Sequence, residues 1–141
     1  MRYLILVLGI AGAIVSGLAL HVHYSTATEP CDINAHWDCG VVNHSPFAVM
    51  HGVPVAAIGI AGYLLIAALG FFRQRFSLMV AVFAGFCFAL RLTFIEELVL
   101  EVWCLYCVIS QKLIALLLAL SIGWLAAEYS RLRRAARQTV A

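Results

Sequence analysis

Residues 103–127 read WCLYCVISQKLIALLLALSIGWLAA. Two cysteines separated by two residues open the stretch, and an apolar run follows, broken mainly by Ser110, Gln111, Lys112 and Ser121. An α-helix rises about 1.5 Å per residue and needs roughly 20 residues to cross about 30 Å of hydrocarbon. The run 104–127 meets that length, so it predicts a membrane span with a dithiol at one mouth. Cys104 falls in the first turn, where unpaired backbone N–H groups and the positive end of the helix dipole favour a thiolate. Cys107 lies one turn deeper on the same face. The thiolate is the species that attacks a disulfide or reduces an acceptor.

Working outward, three more apolar stretches of spanning length stand at about 3–21, 53–72 and 76–95. Hydrophobic residues make up 65% of the 141 residues and charged residues 11%. Soluble domains carry about 45–50% and about 25%. Mean hydropathy is +1.01. A soluble fold has no interior large enough to hide this much apolar surface, so lipid is the expected solvent. Glycines recur in the spans (Gly9, Gly12, Gly17; Gly59, Gly62, Gly70), as expected where helices approach closely in lipid. The predicted fold is an all-α membrane protein, a four-transmembrane-helix bundle forming a single domain over 1–141.

Charge fixes an orientation. Arg2, the Arg73–Arg75 turn and the tail with Arg131, Arg133, Arg134 and Arg137 share one side of such a bundle. The positive-inside tendency makes that side cytoplasmic, with both termini inside. Glu29, Asp32, Asp38, Glu96, Glu97 and Glu101 fall on the outer side. The RLRRAARQ segment reads as an anchor at anionic headgroups. A rival reading takes the first span as a cleaved signal peptide with Ser25–Thr28 as the cleavage region. Its apolar run is longer than a usual signal core, and removing it leaves an odd number of spans.

The outer loop, 22–52, holds CDINAHWDC, two cysteines with seven residues between them, Cys31 and Cys39. Disulfides form and persist outside the cytosol, and two pairs at one membrane face suggest a dithiol–disulfide relay. Ser45-Pro46 predicts a helix start, a hydroxyl cap followed by proline at the first helical position, opening a short interfacial lid helix before Gly52 and Pro54. Two other readings stay open. Cys31, His36, Cys39 and His44 have plausible metal-ligand spacing for a metal-binding or transport protein; alternatively, Cys31–Cys39 is an inert structural disulfide. Cys87, mid-span, reads as a buried small hydrophobe.

The combined pattern resembles the vitamin K epoxide reductase family over essentially the whole chain. That family has a loop cysteine pair, a Ser or Thr six residues after the second loop cysteine, four helices, and a C-x-x-C opening the last. Cys31, Cys39, Ser45, Cys104 and Cys107 match position for position. The Cys31-Asp32 opening and the HGVPVAAIGIAGY stretch look like its bacterial branch. DsbB-type oxidases place their C-x-x-C in the first outer loop instead, the reverse order.

The resemblance implies that Cys104 and Cys107 are catalytic, with Cys107 nearest a quinone of the ubiquinone, menaquinone or vitamin K type, and no metal. It implies that Cys31 and Cys39 shuttle electrons from a partner and that Ser45 helps hold the quinone carbonyl. Many bacterial relatives continue into a thioredoxin-like domain, and this sequence does not. The expected partner is therefore a separate thioredoxin-fold (DsbA-like) protein outside a bacterial cell membrane. Vertebrate members place a polar Asn and a Tyr where Val55 and Gln111 align, so an ordinary respiratory quinone is favoured over vitamin K epoxide. Phe47, Tyr63 and Phe83 are further candidates for the quinone slot, and Gln111 shares a helix face with the C-x-x-C pair. Lys112 stands about 12 Å below Cys104 on a different face. Arg91 is expected to reach toward Glu96 or Glu97, and His44 and His51 to flank the lid.

Overall fold

A computed structural model describes residues 1–27 and 30–140; Thr28 of the cleavage region considered above, Glu29 of the outer loop and Ala141 lie outside it. Among the described residues, regular structure is helical apart from one small ribbon and two isolated bridges, Asn34–Trp37 and Trp37–Trp103. Helix α1 spans Arg2–Tyr24, α3 Val55–Phe71, α4 Arg75–Ile95 and α5 Leu105–Val140, while a one-turn-plus α2, Cys39–Asn43, lies in the loop. Among the described residues, three segments, Arg2–Tyr24, Arg75–Leu100 and Leu105–Gln138, are long and apolar enough to cross a membrane. Helix α3 is equally apolar but has 17 residues, about 25 Å of rise. It starts late because Pro54, which fixes φ and lacks an N–H, ends the preceding strand.

The region expected to be a lid helix folds otherwise. Pro46–Ala48 is a single 3-10 turn, and it leads into an antiparallel ribbon pairing β1, Val49–Met50, with β2, Val53–Pro54. His51 and Gly52 both have positive φ, 52° and 82°, as a two-residue hairpin loop with the right strand twist requires. Ser45 precedes the turn without capping it. Its hydroxyl donates to the Val42 carbonyl instead, at 2.7 Å.

At the arginine-rich end, the Arg2 guanidinium sits 5.8 Å from the Phe71 ring centroid, and Arg75 lies 5.2 Å from that of Trp124. Arg75 also forms an ion pair with Glu128. The start of α1, the α3–α4 turn and the far part of α5 therefore share one end of the bundle. Helix α5 continues through the basic tail rather than stopping near Ala127. Ile5, Tyr63, Ile66, Leu78, Val82, Ile114 and Leu117 form the shared core. Outward faces remain apolar and exposed (Val7, Ile14, Phe76, Val80), the pattern of a helix bundle in lipid.

Helices α1 and α3 touch through small residues. A Cβ on Gly9 would lie 2.8 Å from that of Ala67, one on Gly59 2.8 Å from Ser16 Oγ, and one on Gly12 inside the Tyr63 ring. Without a hydrophobic drive between helices in lipid, such close approach supplies the association energy. Tyr63 is held there because its hydroxyl donates to the Ser110 carbonyl at 2.8 Å and pairs with Ser110 Oγ at 2.9 Å. Gly12→Val should therefore cost about 1–3 kcal/mol by overpacking and lower the thermal unfolding midpoint in detergent. Gly17→Ala, with nothing within 4 Å of the new Cβ, should leave it unchanged.

Candidate active site: two cysteine pairs at an apolar cavity

Local chemistry builds the loop pair. The Asn34 side-chain oxygen accepts from the His36 and Trp37 N–H groups at 2.9 and 3.1 Å, an Asx turn that folds the loop back. Asp38 caps α2 by accepting from Val41 N at 2.9 Å, and Asp32 accepts from Gly40 N at 3.1 Å. Cys39 begins α2, 5.8 Å in Cα–Cα distance from Cys31, and the two are joined as a disulfide. Both are buried, 1% and 0% exposed, so a partner reaches the bond only if the loop lifts.

The loop is tied to the mouth of α5 by its backbone. Trp103 N donates to the His36 carbonyl at 2.9 Å, and Asp38 N donates to the Trp103 carbonyl at 3.1 Å. The Trp37 and Trp103 rings stand 6.3 Å apart. Cys104 is thereby held in one buried cluster with Val22, Cys31, Cys39 and Val42.

Cys104 immediately precedes α5, at the cap position rather than within the first turn. Its sulfur accepts from the Cys107 N–H at 3.4 Å and from the Asn43 amide at 3.6 Å. The Asn43 amide also donates to the Cys39 carbonyl at 2.9 Å, linking the two cysteine pairs. The Cys107 thiol beside it holds Cys104 below the ordinary thiol range, against burial and the Glu96 charge, which push it up. Glu96 closes the arrangement, its carboxylate accepting from Cys104 N at 3.2 Å.

Below Cys107 lies a cavity of about 410 Å³, walled by α1, α3, α4 and α5 and roofed by the loop. Pockets of this size, mostly apolar with a few polar groups, suit a small ring ligand. Small residues make room for it: Ala19, Gly59, Gly62, Ala81, Ala84 and Gly85 all line the wall.

Cys107, Ser45, Phe47, Val55 and Tyr63 all line this cavity, together with His23, Asn43, Glu96, Tyr106 and Ser110, which sequence reasoning had not placed there. Gln111 and Phe83 are not among its walls. Tyr106, Cys107, Ser110 and Ile114 carry the cavity face of α5, and Gln111 sits past its edge, its Oε1 buried with no hydrogen-bond partner among the described residues. Phe83 is 56% exposed, on the opposite side of α4 from Ala81, Ala84 and Gly85. Lys112, Cys87 and Arg91 are also exposed, so Cys87 is not a core residue. Glu96 turns inward to Cys104 rather than outward to Arg91. His44 is exposed, its ring bonded to the Gly40 carbonyl at 2.8 Å.

The potential metal-ligand group among the described residues is Cys31, Asp32 and Cys39. Its two sulfurs are bonded to each other, and neither His36 nor His44 joins it.

Fold and site together define an all-helical membrane protein with a buried loop disulfide beside a C-x-x-C pair. The profile of the Vitamin K epoxide reductase family matches residues 3–122, and the chain belongs to that family. No curated protein matched the chain. Family membership brings quinone-linked thiol oxidoreductase chemistry.

A lowered Cys104 pKa has a definite sign. Alkylation of Cys104 by iodoacetamide, followed by mass spectrometry, should rise with pH to a midpoint below that of an unperturbed thiol. Cys107→Ala, which removes the main cause, should move that midpoint upward; an unmoved midpoint would contradict the assignment.

Proposed function

We propose that the protein carries electrons from an extracytoplasmic thioredoxin-fold dithiol, through Cys31/Cys39 and Cys104/Cys107, to a membrane quinone, and so supports disulfide formation. The observation that carries this reading is the placement of Cys107 on the cavity wall, with Cys104 between it and the loop disulfide. The topology belonging to it has four spans, both termini cytoplasmic and the cysteines outside a bacterial membrane. Arg2, Arg73 and Arg75 at one bundle end and the cysteines at the other support that orientation.

The partner's thiolate attacks the Cys31–Cys39 disulfide and leaves with its own disulfide, so both loop thiols are reduced. Cys39 then attacks Cys104 of the oxidised C-x-x-C pair, releasing Cys107 as thiolate or thiol. Cys31 resolves the mixed disulfide and frees Cys104. Cys107 and Cys104 next give two electrons to the quinone and re-form their disulfide. Tyr63, Phe47 and Val55 shape the slot. Ser45 reaches a quinone oxygen only by giving up its Val42 bond, and Gln111 and Phe83 would need the helices to rotate.

Purified protein in detergent, supplied with a reduced thioredoxin-fold dithiol and a quinone, should reduce the quinone. Cys107→Ala should fall to the uncatalysed background and accumulate a Cys39–Cys104 mixed disulfide, formed as the Cys104 thiolate attacks the Cys31–Cys39 disulfide and releases Cys31. Finding only a Cys31–Cys104 linkage would reassign the inner shuttle cysteine. The metal-protein alternative requires about one zinc per chain, lost in Cys39→Ser; with the sulfurs joined, no stoichiometric zinc is expected.

A further inference from the structure

Residues 96–101 read EELVLE, which as sequence is a solvated acidic turn. The fold separates its members. Glu97 and Glu101 are exposed, whereas Glu96 is 3% exposed at the start of the wide turn Glu96–Leu100 that ends α4. A carboxylate taken out of water needs a partner. The ion pair found among the described residues, Arg75–Glu128, lies at the other end of the bundle. Glu96 faces the redox centre instead. Its carboxylate accepts from Cys104 N at 3.2 Å, and Glu96 and Cys107 line the same cavity.

Reduction of a quinone takes up two protons as well as two electrons, and the cavity is apolar. Most of its hydroxyl and amide donors are engaged: Ser45 with Val42, Asn43 with Cys39 and Cys104, and Tyr63 with Ser110. The other titratable groups on the walls are His23, Tyr63 and Tyr106, and the His23 ring is bonded to the Asn43 carbonyl at 2.5 Å. Glu96 is the acid beside the reacting sulfur.

We propose that Glu96 is the proton carrier of the site, supplying one of the two protons that quinone reduction consumes and recovering it from the loop thiols. The reaction balances. Cys104 thiolate, Cys107 thiol, protonated Glu96 and quinone become the Cys104–Cys107 disulfide, hydroquinone and ionised Glu96. Two electrons leave the sulfurs; one proton comes from Cys107 and one from Glu96. On the return, the Cys31 and Cys39 thiols become a disulfide, and their two protons restore Cys107 and Glu96 while Cys104 leaves as thiolate. This inference rests on the quinone-reducing reading above.

The test separates the two half-reactions in the full-length protein. Glu96→Gln keeps an oxygen for Cys104 N but cannot release a proton. Pre-reduced Glu96→Gln mixed with a soluble ubiquinone analogue should reduce it about 10²–10⁴-fold more slowly than the parent, the span general acid catalysis contributes. In the Cys107→Ala background, the Cys104 thiolate attacks the Cys31–Cys39 disulfide and releases Cys31 as thiolate, an exchange that takes no proton from Glu96. Cys39–Cys104 mixed-disulfide formation should therefore keep the same rate with and without Glu96→Gln. Unchanged quinone reduction would overturn the proposal, leaving Glu96 as a backbone cap. Equal loss of both steps would also overturn it, making Glu96 a residue that positions Cys104. Should the Gln variant not fold, Glu96→Asp decides: at least a tenfold loss confined to the quinone step is expected, and parental rates would refute the idea. Inactivity of the parent itself toward quinone would instead refute the function it rests on.

Discussion

The junction at Cys104 is the constraint on which the rest of the site depends. One residue caps α5 with its sulfur, offers its N–H to Glu96, and receives the Asn43 amide that also holds the Cys39 carbonyl. Each of these groups is buried, and a buried polar group without a partner is costly. Satisfying them jointly fixes where the loop, the end of α4 and the start of α5 meet. The loop disulfide must then sit in the same cluster as Cys104, and Cys107, a turn further on, must face the cavity. Removing water from this junction has a chemical consequence. It leaves the sulfurs dependent on a few internal groups for charge balance and protons.

The cavity depends on a second packing decision. Glycines let α1 and α3 approach closely, and Tyr63, wedged against Gly12, reaches across to Ser110 on α5. Helix α4 presents Ala81, Ala84 and Gly85 to the space while its aromatic Phe83 points away. The result is a slot with one reactive edge rather than a filled core. Closing it from the outside is a 3-10 turn and a tight ribbon, not a helix.

Much of this was readable in the chain. Apolar runs of spanning length, arginines gathered mostly at one bundle end and a C-x-x-C at a helix mouth each act through local length, charge or spacing. They need no knowledge of neighbours, so the membrane class and the approximate positions of the long apolar helices were legible, while the exact ends of α3 and α5 were not. The combined cysteine spacing also carried the family resemblance that the profile match supports. The lid helix was misread because Ser45-Pro46 is a good start signal with only a few residues behind it. The hairpin loop at His51-Gly52 claimed them.

What tertiary structure alone decided is which side chains face inward. Periodicity put Gln111 on the face of Cys104 and Cys107, yet a small rotation of α5 gives the cavity to Ser110. Phe83 and Phe47 look alike in sequence, and only one lines the cavity. Glu96, Glu97 and Glu101 are chemically equivalent as letters. A wide turn at the end of α4 buries the first against Cys104 and leaves the others exposed. The sequence by itself determined the membrane, the dithiols and their order along the chain. The placement of one acid and one apolar slot beside them came from helix rotation and backbone hydrogen bonding, long-range effects that no local pattern encodes.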